Sequence, residues 1–187
     1  LASGSSGNAT LVEAFDGLHR TRVLIDCGLG LRQLNERLAR AGVAAPELDA
    51  IFITHEHGDH VGCAPALSAR LGIPLWMSAG THAALPRPDP KLNVHFASDG
   101  QSVELGGLRI QPFAVPHDTR EPLQLSCTDG DRRLGILTDL GHVTKLVLER
   151  IRTANALVLE SNHDVKMLQD CPHRPWSLKQ RILSRHG

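Results

Sequence analysis

The 187-residue chain is long enough for one domain with its own hydrophobic core. Its 20 Lys and Arg balance 20 Asp and Glu, which argues against a bulk electrostatic grip on nucleic acid or membrane and leaves only a local basic patch open. Cys27, Cys63, Cys127 and Cys171 form no C-x-x-C pair, and neither a bilayer-length apolar run nor a basic-then-apolar leader is seen. A zinc knuckle, a disulfide-stapled secreted domain and a membrane protein are therefore disfavoured, and a reducing cytoplasm is the expected setting.

Taken in chain order, Ser3 to Gly7 reads as a native glycine-rich loop, because Asn8 to Val12 runs straight on as a strand. Both ends of the chain look cut. Thr10 to Glu13 and Arg22 to Asp26 are β-rich runs around an Asp16-Gly17 turn, the second ending in a carboxylate. Leu31, Leu34, Leu38 and Ala41 recur at helical spacing, and Gly42 supplies a stop. Ala50 to Ile53 is an apolar run of buried-strand length, followed by a His-rich loop. Val61 to Leu71 reads as one helix with Pro65 near its start. Leu75 to Met77 reads as a strand, and residues 79 to 93 as a loop with at most one helical turn. Val94 to Ala97, Ser102 to Leu105 and Leu108 to Val115 are further strands. Leu123 to Thr128 and Arg133 to Thr138 flank Asp129-Gly130-Asp131 as a hairpin. A helix over Thr144 to Ala154, a buried strand over Ala156 to Glu160 and a basic helix over Trp176 to Ser184 complete the pattern. Strands with interleaved helices fit a layered α/β or α+β domain.

Chemistry concentrates in Thr54-His55-Glu56-His57-Gly58-Asp59-His60, which reads H-x-H-x-D-H. On an extended loop alternate residues point the same way, so His55 and His57 can converge on one metal ion, while Asp59 and His60 face a second. Imidazole with carboxylate suits Zn²⁺, Fe or Mn²⁺. His117 and Asp139 each follow a strand, and a carboxylate at Asp139 can bridge two ions. A surface-loop His and a turn or cap Asp are the plainer readings of these two. Asp26 reads as a carboxylate that orients the His-rich loop. His163 also follows a strand, as a ligand, proton donor or phosphate-binding group. Each residue is weak evidence alone; their shared position at strand ends carries the argument.

These residues resemble the metallo-β-lactamase superfamily, whose T-H-x-H-x-D-H-x-G signature is specific and whose successive motifs match Asp26, His55, His57, Asp59, His60, His117 and Asp139. The resemblance implies an α+β fold, the αββα sandwich, spanning residues 1–187 as a single domain. Ser3 to Asn8, Thr138 to Gly141, Glu160 to Asp164 and Pro175 to Leu183 look like the YycJ/WalJ group of phosphodiesterases and 5′-to-3′ DNA exonucleases, which is also similar to ribonuclease Z and the cyclic phosphodiesterase of phosphonate breakdown. The resemblance implies two divalent ions, Zn²⁺ or Mn²⁺. His55, His57, His117 and Asp139 would hold one; Asp59, His60 and Asp139 would hold the other. The group's final ligand, a His directly after a Gly, has no match here. The chain is thus expected to lack the last strand or helix and to leave its second site incomplete. Asp59 and His163 are the implied catalytic residues, and the implied substrate is a phosphodiester, with DNA a candidate. Lys179, Arg181 and Arg185 could contact a nucleic-acid backbone or form a solvated helix face. Two competing readings are a glyoxalase II- or lactamase-like thioester or lactam hydrolase, and a non-catalytic metal-binding interaction module.

Overall fold

Residues 1–86, 89–161 and 164–184 are described by the computed structural model. The first sheet takes β1 (Thr10–Phe15), β2 (Arg20–Ile25), β3 (Ala50–Phe52), β4 (Leu75–Met77) and β5 (Val94–Phe96), side by side in that order. β1 and β2 form an antiparallel hairpin, and β2 to β5 run parallel. Parallel neighbours need crossovers. These are α1 (Leu31–Arg40), then α2 (Gly58–Val61) with α3 (Ala64–Leu71), then α4 (Ala79–Ala84).

The second sheet takes β6 (Val103–Leu105), β7 (Leu108–Ala114), β8 (Leu123–Thr128), β9 (Arg133–Leu137) and β10 (Ala156–Leu159), in the spatial order β10-β9-β8-β7-β6. It is antiparallel except for the β9–β10 pair, which is joined through α5 (Lys145–Ile151). Two short helices follow, α6 (Val165–Asp170) and α7 (Trp176–Ile182).

Strand alternation explains the layering. Successive side chains leave opposite faces, so a continuous apolar run can serve two cores at once. Val23, Ile25, Ala50 and Phe52 pack inward against Leu108, Ile110, Leu123, Leu125 and Ile136 of the other sheet. Leu24, Ile51 and Leu75 face outward against Leu34 and Leu38 of α1 and Leu67 of α3. On the far side, Val147 of α5 packs with Phe113 and Leu137. The order is helix, sheet, sheet, helix.

Several elements differ from expectation. The helix expected over 61–71 is two pieces, broken at Gly62 (φ +37), where a Cβ would stand 2.4 Å from the Cys27 carbonyl oxygen. Pro65 enters the first turn of α3, where its missing N–H costs nothing. Within 79–93, α4 is capped by Ser78, whose Oγ accepts from Thr81 N–H at 3.0 Å. α6 was not expected; Asp164 starts it by accepting from Met167 N–H at 2.8 Å. The strand expected to be the last buried one is exposed along its length, because β10 is the outer strand of its sheet.

Candidate metal centre

The C-terminal tips of β2 and β3 lie side by side and carry the first half of the site. Asp26 ends β2 with φ +58, the one non-glycine residue in the left-handed region among the described residues. Its backbone N–H still bonds to the Phe52 carbonyl at 2.8 Å, so the strained turn is held by the sheet. The turn aims a buried carboxylate under the His-rich loop. That carboxylate accepts from Thr54 N–H at 2.9 Å, lies 3.0 Å from Thr54 Oγ1, and is 2.8 Å from His60 Nδ1. Both of its oxygens are engaged by the loop it supports.

These bonds set the imidazole orientations. With His60 Nδ1–H donated to Asp26, Nε2 faces Asp139 Oδ1 at 3.4 Å and Asp59 Oδ2 at 3.8 Å. Thr54 Oγ1 can donate to Asp26 and accept from His55 Nδ1 at 3.0 Å. His55 Nε2 then points to Asp139 Oδ2, 3.6 Å away. This is the arrangement by which outer partners orient ligating imidazoles. The loop itself is pinned from three directions: Leu123 N–H to the Thr54 carbonyl, Asn8 N–H to the Asp59 carbonyl, and Cys27 N–H to the His60 carbonyl.

The second sheet supplies the other half. His117 follows β7 and Pro116, and the Pro116 carbonyl accepts from Gly141 N–H at 2.9 Å. Asp139 follows β9. Its segment is held by buried Gln124 of β8, whose Oε1 accepts from Thr138 N–H and whose Nε2 donates to the Asp139 carbonyl. His117 Nε2 lies 3.6 Å from Asp139 Oδ2.

The result is two donor groups. His55, His57, His117 and Asp139 each offer one atom within 4.8 Å of the others, as do Asp59, His60 and Asp139. Asp139 belongs to both, with one oxygen toward each. Nitrogen and oxygen donors without thiolate fit a borderline or hard divalent cation. The charge states of His57, His117 and Asp139 also fit. Burial, followed by the neighbouring His55, lowers the pKa of His57 and brings His117 down to about 4, so both rings are neutral at pH 7. Burial opposes charge on Asp139, yet hydrogen bonds from His55 and His60 hold its carboxyl far below the usual range. Burial also opposes charge on His60, but Asp26 and Asp139 outweigh it and raise the ring to about 10, so without metal its Nε2 carries a proton that an ion at the second group would displace.

Residues outside the H-x-H-x-D-H string complete the site. Asn8 Nδ2 lies 3.0 Å from His60 Nε2 and 3.4 Å from Asp59 Oδ2. Asp118 Oδ1 stands 3.6 Å from His57 Nε2 and 3.5 Å from His117 Nε2, and Asp118 Oδ2 accepts from Arg181 Nε at 2.5 Å. Glu160 Oε2 accepts from Leu140 N–H. A cavity of about 720 Å³ opens over His57, Asp59, His117 and Asp139, walled by Arg181, Leu178 and Glu160. Arg181 therefore reaches the cavity. Lys179 does not: it is buried, and its Nζ donates to the Gln169 carbonyl at 2.6 Å. The helix turns that side chain inward, which corrects the expectation of a nucleic-acid contact. His163, Arg185 and His186 lie outside the described residues.

A beta-lactamase superfamily domain model matches residues 21–181. The chain is 33% identical over 190 residues to exodeoxyribonuclease YycJ of Bacillus anthracis, covering 100% of this chain and 70% of that protein. It is 33% identical over 192 residues to exodeoxyribonuclease WalJ of Streptococcus pneumoniae serotype 2, with the same coverage. The chain belongs to the YycJ/WalJ group of the metallo-β-lactamase superfamily. Among solved structures, Zn²⁺-bound PqqB from Methylobacterium extorquens superposes with a TM-score of 0.72 at 17% identity, covering 89% of this YycJ/WalJ-group chain and 66% of that one. At that identity the likeness is one of fold: the metallo-β-lactamase sandwich.

Proposed function

We propose that this YycJ/WalJ-group domain is a two-metal phosphodiesterase that shortens DNA from a 5′ end, with Zn²⁺ or Mn²⁺ as its ions, in a cytoplasmic setting and as a single domain over residues 1–187. The observation that carries the reading is the shared carboxylate: Asp139 presents one oxygen to a group of three imidazoles and the other to Asp59 and His60. Two relatives named as exodeoxyribonucleases, matched along the whole chain, support a nucleic-acid substrate over a lactam or thioester.

His55, His57, His117 and Asp139 would hold one ion, and Asp59, His60 and Asp139 the other. Ions bound there would supply Lewis-acid stabilisation to the phosphoryl oxygens and a water of lowered pKa. The chain's own residues do the rest. Asp26 and Thr54 fix His55 and His60 before substrate arrives, so little reorganisation is needed. Asp59, steadied by Asn8, faces both the second donor group and the cavity, where it can orient the attacking water. Arg181 puts a cation on the cavity wall, suited to a neighbouring phosphate. His163, implied by the resemblance, would give a proton to the leaving oxygen.

The test is a pair of substrates offered to the same protein with Mn²⁺ or Zn²⁺: end-labelled duplex DNA and a glutathione thioester. The expected outcome is nucleotide release from DNA, reduced at least ~10³-fold by His57→Ala. Metal-dependent thioester cleavage with DNA left intact would overturn the proposal.

A further inference from the structure

The geometry points to Cys27 and Cys63 as an oxidisable pair: the half-buried Cys63 attacks a hydroperoxide, and Cys27 closes a disulfide that staples the α2–α3 junction to the turn after β2. The pair lies outside the donor groups of the metal centre, and no step proposed above uses it.

The two sulfurs are 3.4 Å apart although 36 residues separate them in sequence. The backbone around them is clamped. Cys63 N–H lies 3.2 Å from the Cys27 carbonyl and 3.1 Å from that of Leu29, and Cys27 N–H donates to the His60 carbonyl at 2.7 Å. Gly28 and Gly62 permit this contact. A Cβ on Gly28 would stand 1.6 Å from the Asp59 carbonyl oxygen, and one on Gly62 would stand 2.4 Å from that of Cys27. The segments are thus pressed together along several residues. Bond formation has to draw the sulfurs in by about 1.4 Å, to the usual ~2.05 Å, without moving either segment far. Cys27 is buried and Cys63 is half-buried. That asymmetry gives the two thiols different roles, one meeting the oxidant and one resolving.

The chemistry balances with hydrogen peroxide as oxidant. The Cys63 sulfur attacks the O–O bond; an S–O bond forms, and the leaving oxygen departs as water with the thiol proton. The Cys27 sulfur then attacks the Cys63 sulfenic acid; the S–S bond forms, the S–O bond breaks, and a second water leaves with the Cys27 proton. Two thiols lose two electrons, and one peroxide becomes two waters. A dithiol reverses the bond by exchange.

The test treats the 187-residue protein with one equivalent of hydrogen peroxide, unfolds and alkylates it, and maps the peptides. The expected result is a Cys27–Cys63 linked peptide, a mass lower by about 2 Da than the reduced protein, and reversal by dithiothreitol. Closing a loop of this length should raise the Tm by roughly 10 °C. A Cys127→Ala/Cys171→Ala variant should form the same link. In Cys27→Ala, given two or more equivalents of peroxide, Cys63 should run on to the sulfinic acid. Peptide mapping of the unaltered protein decides the matter even if a variant fails to fold. Cys63 over-oxidised while Cys27 is still alkylatable, or oxidation confined to Cys171, would overturn the inference.

Discussion

Asp26 shows how one side chain sets the chemistry of several others. Its carboxylate takes Thr54 N–H and His60 Nδ1–H and holds the Thr54 hydroxyl that in turn meets His55. Asp26→Asn keeps the shape but removes the charge opposite His60 Nδ1. The expected outcome is a 10–100-fold loss of metal affinity, measured by competition with a chromophoric chelator. Metal-free stability should also depend on pH in two directions. His60 has its pKa raised to about 10 in the fold. It therefore contributes stability that is full below the unfolded His value near 6.5 and is lost as pH rises through about 10. His117 is lowered to about 4, so it costs stability as pH falls from about 6.5 through 4. Thermal melts in EDTA should peak near pH 6–7; a Tm that climbs steadily from pH 7 to 10 would contradict the assignment. The H-x-H-x-D-H string and Asp26 were legible because their spacing and strand-end position are local. Asp118 and Gln124 were not: Asp118 stands beside His117 with no pattern to mark it, and Gln124 reaches the Asp139 segment from the neighbouring strand β8, while the Ser3 to Asn8 segment matched the family without showing that Asn8 meets His60. Lys179 was misread for the converse reason: a basic helix looks solvated until tertiary packing shows which stem is buried.

The elements owe their positions to close backbone approaches as much as to apolar patterning. Gly28 and Gly62 let the β2–α1 turn rest directly on the 59–63 segment. Gly28→Ala places a methyl within 1.6 Å of a backbone oxygen; a loss of more than about 3 kcal/mol is expected in urea unfolding, well above the ~1 kcal/mol typical of a point substitution. Gly30→Ala, with nothing within 4 Å of its Cβ, is the control and should be nearly neutral. The same contact explains why 61–71 is not one helix. Apolar periodicity runs through Gly62, but the approach to Cys27 forces a positive φ there and splits α2 from α3. The loop expected over 79–93 hid α4 because its six residues are too few to show a helical period. β10 was misjudged because an apolar run signals a strand but not which strand lies at the edge.

At the scale of the whole molecule, one rule of strand geometry yields both core and site. Alternation sends Leu24 and Ile51 to the α1/α3 layer and Ile25 and Phe52 to the layer between the sheets. Phe52 is fully buried, and Phe52→Ala should cost about 3–5 kcal/mol in chemical denaturation. The tips of β2, β3, β7 and β9 then meet at one end of the sandwich, where Asp26, the 54–60 loop, His117 and Asp139 converge. Each sheet is incomplete as a site without the other, and Asp139 joins the two donor groups. Because four described residues make one group and three the other, the ions should bind in two unequal steps. The most direct measurement is nucleotide release from 5′-labelled DNA alongside metal content, for the protein as isolated, after EDTA, after Mn²⁺ or Zn²⁺ is restored, and for Asp139→Asn. Activity that vanishes with EDTA, returns with metal and falls at least ~10³-fold in Asp139→Asn together with loss of bound metal is the predicted result. Release unaffected by EDTA, or full activity and full metal content in Asp139→Asn, would contradict it.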